Sequence, residues 1–210
     1  RDVGLKGEYT AAVYDANKHI DVPYWHMEDE EVKTAPLREA VLHWLGYFNM
    51  AEEVSTTEIG QQGYTLTIRD PSVSKDLDLT NVGVGVSQVL PIIVKGLLSE
   101  PGSTVIYEQP EIHLHPATQG KIADFFMGLI RSGVQCIIET HSEYFINRIR
   151  LRIAEDESDD GQLSDLIQIL FAERTAGQTT YRTVQVNEYG AIINWPAGFF
   201  DQSQTESEDL

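Results

Sequence analysis

The sequence predicts an α/β fold with a parallel sheet and helical crossovers. Three observations predict it. Thr104-Val105-Ile106-Tyr107 and Val134 to Ile138 are short, nearly all-apolar runs. Each is followed by a segment of helical character, residues 117–131 and 143–154. The first run is bounded by the turn signals Pro101-Gly102 and Pro110. Two buried strands, each followed by a helix, pair in parallel because the helix returns the chain to the same end of the sheet.

The other elements follow in order. Residues 1–33 open on Gly4 and Gly7, turn acidic around Glu28 to Glu31, and read as a connector with little core of its own. Leu37, Val41, Leu42, Leu45 and Phe48 have helical spacing, and Pro36 fits the first turn of that helix. Tyr64, Leu66 and Ile68 alternate with threonines and Arg69, the pattern of a half-buried strand. Residues 86–99 form a helix with Pro91 in its first turn or two. After the α/β core, Glu155 to Asp160 reads as an acidic loop. Ile167 to Phe171 and Tyr181 to Val186 read as strands around a turn at Gly177. Gln202 to Leu210 is a polar, acidic end of the kind that frays. The expected organisation is a connector and helix/strand subdomain over 1–80, the α/β core over 81–155 and a small α+β extension over 156–210.

Composition narrows the function classes. The chain has 210 residues, 41% of them hydrophobic and 23% charged, the balance of a globular protein. Its 15 Lys and Arg against 33 Asp and Glu give a net charge of −18. Such a surface repels nucleic acid and anionic membranes. Arg148, Arg150 and Arg152 are the one candidate basic patch, and a solvated helix face is the plainer reading of it. The single cysteine, Cys136, has no partner within the chain, which fits a reducing cytoplasm. No apolar stretch approaches the ~18 residues of a membrane-spanning helix. The first residue is Arg1 rather than Met, which suggests sequence upstream.

Three segments carry the chemistry. In the first, the strand ending at Tyr107 runs into Glu108-Gln109-Pro110-Glu111-Ile112-His113-Leu114-His115-Pro116. Ligand sites in open α/β sheets lie off the carboxyl ends of the strands. A carboxylate there suits Mg²⁺, a hard ion that keeps part of its water shell. In the second, the strand ending at Ile138 runs into Glu139-Thr140-His141-Ser142, with Ser142 suited to cap the next helix. Parallel strands should bring Glu108 and His141 to one edge. The third segment, Asn81-Val82-Gly83-Val84-Gly85-Val86-Ser87-Gln88, opens a helix. Glycines admit close backbone approach, and free N–H groups at a helix start bind phosphate. Gln88 stands where a dinucleotide fingerprint requires a third glycine, so that motif is excluded.

In this order the segments resemble the ABC-type ATPases. They are most similar to AAA-family ATPases of the repair and anti-phage-defence type, related to the overcoming-lysogenization-defect proteins, and within them to a bacterial subfamily with an uncharacterised C-terminal extension. The likeness rests on Gly83 to Pro91, Glu108 to Pro116, Glu139 to Ser142 and the tail Trp195 to Phe200. It implies the C-terminal half of an ATPase head using ATP and Mg²⁺. Glu108 then stands at the metal-site acid and Gln109 at the position of the usual catalytic glutamate. His113 to Pro116 stand at the D-loop and His141 at the switch histidine that contacts the γ-phosphate. Gly83, Gly85, Ser87 and Gln88 belong to the signature loop, which reaches the nucleotide of a second subunit across a dimer. Gln109 is not a base, so hydrolysis is slow or Glu111 takes over. Gly83 replaces the usual signature serine, and Ser87 is the candidate to compensate.

The phosphate-binding loop itself is not in the sequence. Gly120-Lys121 is the only Gly-Lys pair, and His115 and Ile122 spoil the motif at both ends. The chain alone is therefore expected to be inactive and to need an N-terminal half. Its expected partners are that half or a second head, with an effector protein in repair or defence. Two other readings compete: a scaffold that kept the fold and lost turnover, and a metallohydrolase with His113, His115, His141 and Glu108 as ligands. A nuclease is not expected, because no acids cluster on successive strands.

Overall fold

A computed structural model of the protein describes residues 2–60, 63–69, 76–78, 84–156, 163–175, 177–196 and 199–200. It divides into two compact units, Arg1–Phe145 and Ile146–Leu210.

The first unit builds more from its N-terminal residues than the expected connector. Helix α1 (Thr10–Asn17) is followed by an antiparallel hairpin of β1 (Asp21–His26) and β2 (Glu31–Pro36). Val3, Tyr14, Val22 and Tyr24 from this stretch are buried. The hairpin hides in the sequence because Pro23 and short, half-exposed strands weaken its alternation. Helix α2 (Leu37–Tyr47) follows, with Pro36 at its N-cap and Leu37, Ala40, Val41, Trp44 and Leu45 on its buried face. Strands β3 (Glu53–Glu58), β4 (Tyr64–Arg69) and β5 (Asp76–Asp78) form an antiparallel sheet. Leu66 and Ile68 of β4 point to its buried face, as their alternation predicts.

Helix α3 (Val84–Leu97) begins earlier than expected and places Pro91 beyond its second turn. A proline there removes one backbone N–H and crowds the preceding turn. Its ring fills the space above Gly7, where a Cβ would lie 2.4 Å from Pro91 Cγ. Strand β6 (Thr104–Glu108), helix α4 (Pro116–Arg131), strand β7 (Gln135–Glu139) and helix α5 (Glu143–Glu155) form the predicted β-α-β-α unit. Strands β6 and β7 pair in parallel, with Val105 opposite Cys136, Tyr107 opposite Ile138 and Glu108 opposite Glu139.

This parallel pair departs from the expected full burial. Val105, Tyr107, Cys136 and Ile138 lie on one covered face. Tyr107 packs its ring 5.0 Å from Phe126 of α4 and donates its hydroxyl to the Ile92 carbonyl of α3. On the other face Ile106 is 68% exposed and its register partner Ile137 is 52% exposed. Continuous apolar runs are the pattern of a parallel strand covered on both faces, and here one face is bare.

The second unit contains the body of α5, the short α6 (Leu163–Leu166) and an antiparallel hairpin of β8 (Ile169–Thr175) and β9 (Gln178–Val184). Gly177 has the positive φ that the predicted turn needs. The basic triplet is partly spent on structure. Arg150 donates from Nε to the Gly190 carbonyl at 2.8 Å and stacks its guanidinium over Trp195, and Arg152 pairs with Glu155. The acidic stretch beyond Asp156 and the tail from residue 201 lie outside the described residues. Among the described residues no helix is long and apolar enough to cross a membrane.

Candidate functional site

The parallel register sets the site. Because Glu108 and Glu139 are paired at the ends of β6 and β7, both exposed carboxylates leave the sheet at its carboxyl edge. The chain then turns sharply. Gln109 adopts a φ of 45° and donates its N–H to the Glu139 carbonyl at 2.9 Å. His113, at φ 63°, makes a second left-handed turn. Such conformations cost free energy for residues with a Cβ. They are held here by Ile112 N–H on the Gln109 carbonyl and Leu114 N–H on the Glu111 carbonyl, each at 3.1 Å. His115 ends the turn as the N-cap of α4, its Nδ1 accepting the Ala117 N–H at 3.3 Å, with Pro116 in the first turn.

Glu111 lies beneath this edge rather than on it. It is 5% exposed. Its Oε1 accepts the Thr140 hydroxyl at 2.6 Å and the His141 N–H at 3.0 Å. Its Oε2 is buried without a hydrogen-bond partner among the described residues. A second clasp runs beside the first. Gln119 donates to the Leu114 carbonyl, and its Oε1 accepts the Ser142 hydroxyl at 2.6 Å. Ser142 Oγ also accepts the Phe145 N–H, which caps α5 as its position predicts. The loop after β6 and the loop after β7 are thus tied together by side chains.

The His141 ring is left outside this lock. It is 78% exposed, and its Nε2 lies 2.9 Å from Glu139 Oε1. Glu108, Gln109, Glu139 and His141 therefore gather along one edge, with Glu111 below. Burial pushes the neighbouring Cys136 thiol up to about 12 and raises the Tyr107 phenol further, so neither exchanges a proton near neutral pH.

The helix-start residues are placed differently. Gly85, Ser87 and Gln88 lie in the first turns of α3, each half-buried. A Cβ on Gly85 would stand 3.4 Å from Leu114 Cδ2, so this helix start packs on the turn after β6. Gly83 lies outside the described residues. The metallohydrolase ligand set is not assembled. Among the described residues the one converging group of three metal-ligand side chains is His26, Glu28 and His43, not His113, His115, His141 and Glu108. Thr140, Gln119 and Glu139 are contributors that residue-type reasoning passed over. For Glu139 and Thr140 the signal was adjacency, since they directly precede His141; Gln119 carried no such signal.

The AAA ATPase domain family matches residues 24–146, more than half of the chain, and this span contains the whole edge. The chain belongs to the AAA ATPase domain family. A second family, a protein of unknown function (DUF3696), matches residues 164–210 of the chain. No curated protein matches the chain. Among solved structures the chain is similar to one from work on ATP-driven dimerization and DNA-stimulated activation of SMC ATPases. The TM-score is 0.51 at 10% identity, over 82% of this chain and 90% of that one. It is equally similar to an SMC head bound to the C-terminal winged-helix domain of ScpA. There the TM-score is 0.51 at 10% identity, over 71% of this chain and 42% of that one. At such identity the likeness is one of fold alone, that of an SMC ATPase head.

Proposed function

We propose that this chain is the C-terminal half of an ABC-type ATPase head and serves MgATP only when joined to a half that carries the phosphate-binding loop. The observation that carries the reading is the shared edge: parallel strands in register put Glu108 beside Glu139 and His141. Glu108 suits the water-mediated carboxylate contact that Mg²⁺ favours, because it is exposed at the carboxyl end of a strand. The ion neutralises phosphate charge when bound. Gln109, fixed in its left-handed turn, orients water without deprotonating it. His141 meets the γ-phosphate, and Glu139 holds the Nε2 of its exposed ring. Glu111 positions His141 through the backbone N–H and takes no proton from water itself. The bare face of Ile106 and Ile137 is the surface that the half carrying the phosphate-binding loop covers, since parallel sheets are covered on both faces. Gly83 to Gln88 act in trans on a second head, and the assembled ATPase drives an effector in DNA repair or anti-phage defence.

One observation favours a second reading, a regulatory subunit with weak turnover. Gln109 stands where a catalytic acid is expected, and Glu111 is buried in structural hydrogen bonds. His141→Ala separates the two. In the assembled ATPase it is expected to slow ATP turnover at least tenfold, by loss of one phosphate contact, while ATP binding changes less than threefold. Equal turnover in wild type and His141→Ala removes the role given to that ring.

A further inference from the structure

We propose that His26, Glu28 and His43 bind a Zn²⁺ ion that pins the β1–β2 turn to helix α2. The three side chains come from three places: the end of β1, the turn after it, and the second turn of α2. Their ligand atoms all lie within 4.8 Å of one another. Glu28 Oε2 stands 3.4 Å from His26 Nδ1 and 3.9 Å from His43 Nδ1. In a tetrahedral zinc site with bonds of about 2.0–2.1 Å, ligand atoms sit about 3.3 Å apart. Closing the set needs only small side-chain rotations.

The group is poorly explained as packing alone. His26 Nδ1 is buried and has no hydrogen-bond partner among the described residues, although it stands 3.1 Å from Asp29 Oδ2. A buried ring nitrogen left so is uncommon and calls for a ligand. The two imidazoles stack with centroids 4.5 Å apart at 28°, an arrangement that disfavours charging both. Burial, then the neighbouring His26, holds the His43 pKa below its ordinary value, which favours the neutral ring that metals require. Asp29 is engaged by Lys33, which leaves Glu28 as the carboxylate facing both rings. Glu28 is 69% exposed, so the ion has a path in. Two nitrogens and one oxygen suit zinc over Mg²⁺ or Ca²⁺, and the fourth position is open to water.

His43 Nε2 accepts the Met27 N–H at 3.3 Å, so the neutral ring carries its proton on Nδ1. Zinc at Nδ1 moves that proton to Nε2 and opens the Met27 bond, with no net proton released.

The test uses untagged 210-residue protein, stripped with a chelator and titrated with Zn²⁺ and with Co²⁺. The expected result is one Zn²⁺ per chain after gel filtration, a tetrahedral Co²⁺ absorption band, and nitrogen NMR shifts marking His43 Nδ1 as the metallated atom. Affinity should fall at least tenfold in His26→Gln, His43→Gln and Glu28→Gln, and stay unchanged in a His113→Ala/His115→Ala variant. Glu28 is exposed, so its variant keeps the fold even if a histidine variant does not. No zinc above background, or zinc binding unaltered by Glu28→Gln, overturns the proposal.

Discussion

Replacing Glu111 with alanine lowers the unfolding free energy by about 3 kcal/mol, as expected for losing two hydrogen bonds to one buried carboxylate. The Thr140 hydroxyl and the His141 N–H both end on Glu111 Oε1, and the substitution strands both donors. Part of the loss is offset because the unpartnered Oε2 goes with them. Glu111→Gln keeps an acceptor and is expected to cost about half as much. The substitution should also carry a functional effect. Once Glu111 no longer holds the loop, His141 swings free, so the assembled ATPase should lose as much turnover with Glu111→Ala as with His141→Ala. Urea unfolding and steady-state turnover, measured on both variants and on the double variant, check this. A double variant no slower than either single one supports a shared role, and fully additive losses contradict it.

Trp44→Ala is expected to cost about 4 kcal/mol, the range of large buried aromatic truncations. Trp44 is 1% exposed and is among the largest fully buried side chains. Its ring meets Phe125 edge-on at 5.1 Å, and it also meets Tyr47 and Phe48. The ring fills a notch over Gly128, where a Cβ would lie 3.0 Å from Trp44 Cζ2. Helices α2 and α4 are therefore interlocked at Trp44, beside the Tyr47 contacts to Asp124 and Lys121. Removing it leaves a cavity that rigid neighbours cannot close. Against a typical domain stability of about 5–15 kcal/mol, this loss leaves the first unit marginal. Thermal unfolding of wild type, Trp44→Phe and Trp44→Ala measures it. A loss below about 1.5 kcal/mol in Trp44→Ala means the core repacks and the interlock is not the main support.

The α/β core was legible because its signals are local. The runs ending at Glu108 and Glu139 are short, apolar and bounded by turns, and each leads into a helix. The sharing of an edge by Glu108 and His141 followed from parallel pairing alone. What was not legible depends on distant neighbours. An acid after a strand reads as exposed, and only Thr140 and His141, 29 and 30 residues on, bury Glu111 in a lock. The apolar patterns of Ile106 and Ile137 record covering that the described residues do not supply. The clustering of His26 with His43 needs the β1 hairpin, and Pro23 obscured that hairpin.

The edge at Glu108 is expected to serve MgATP only within a completed head. The most direct measurement is Mg²⁺-dependent ATP binding and turnover by the chain alone, by the chain joined to its phosphate-binding half, and by that assembly carrying Glu108→Gln. The account predicts no Mg²⁺-dependent binding alone, turnover in the assembly, and a loss of at least a hundredfold in the variant, about 2.7 kcal/mol of transition-state stabilisation. Turnover by the assembly that is unchanged by Glu108→Gln would contradict it.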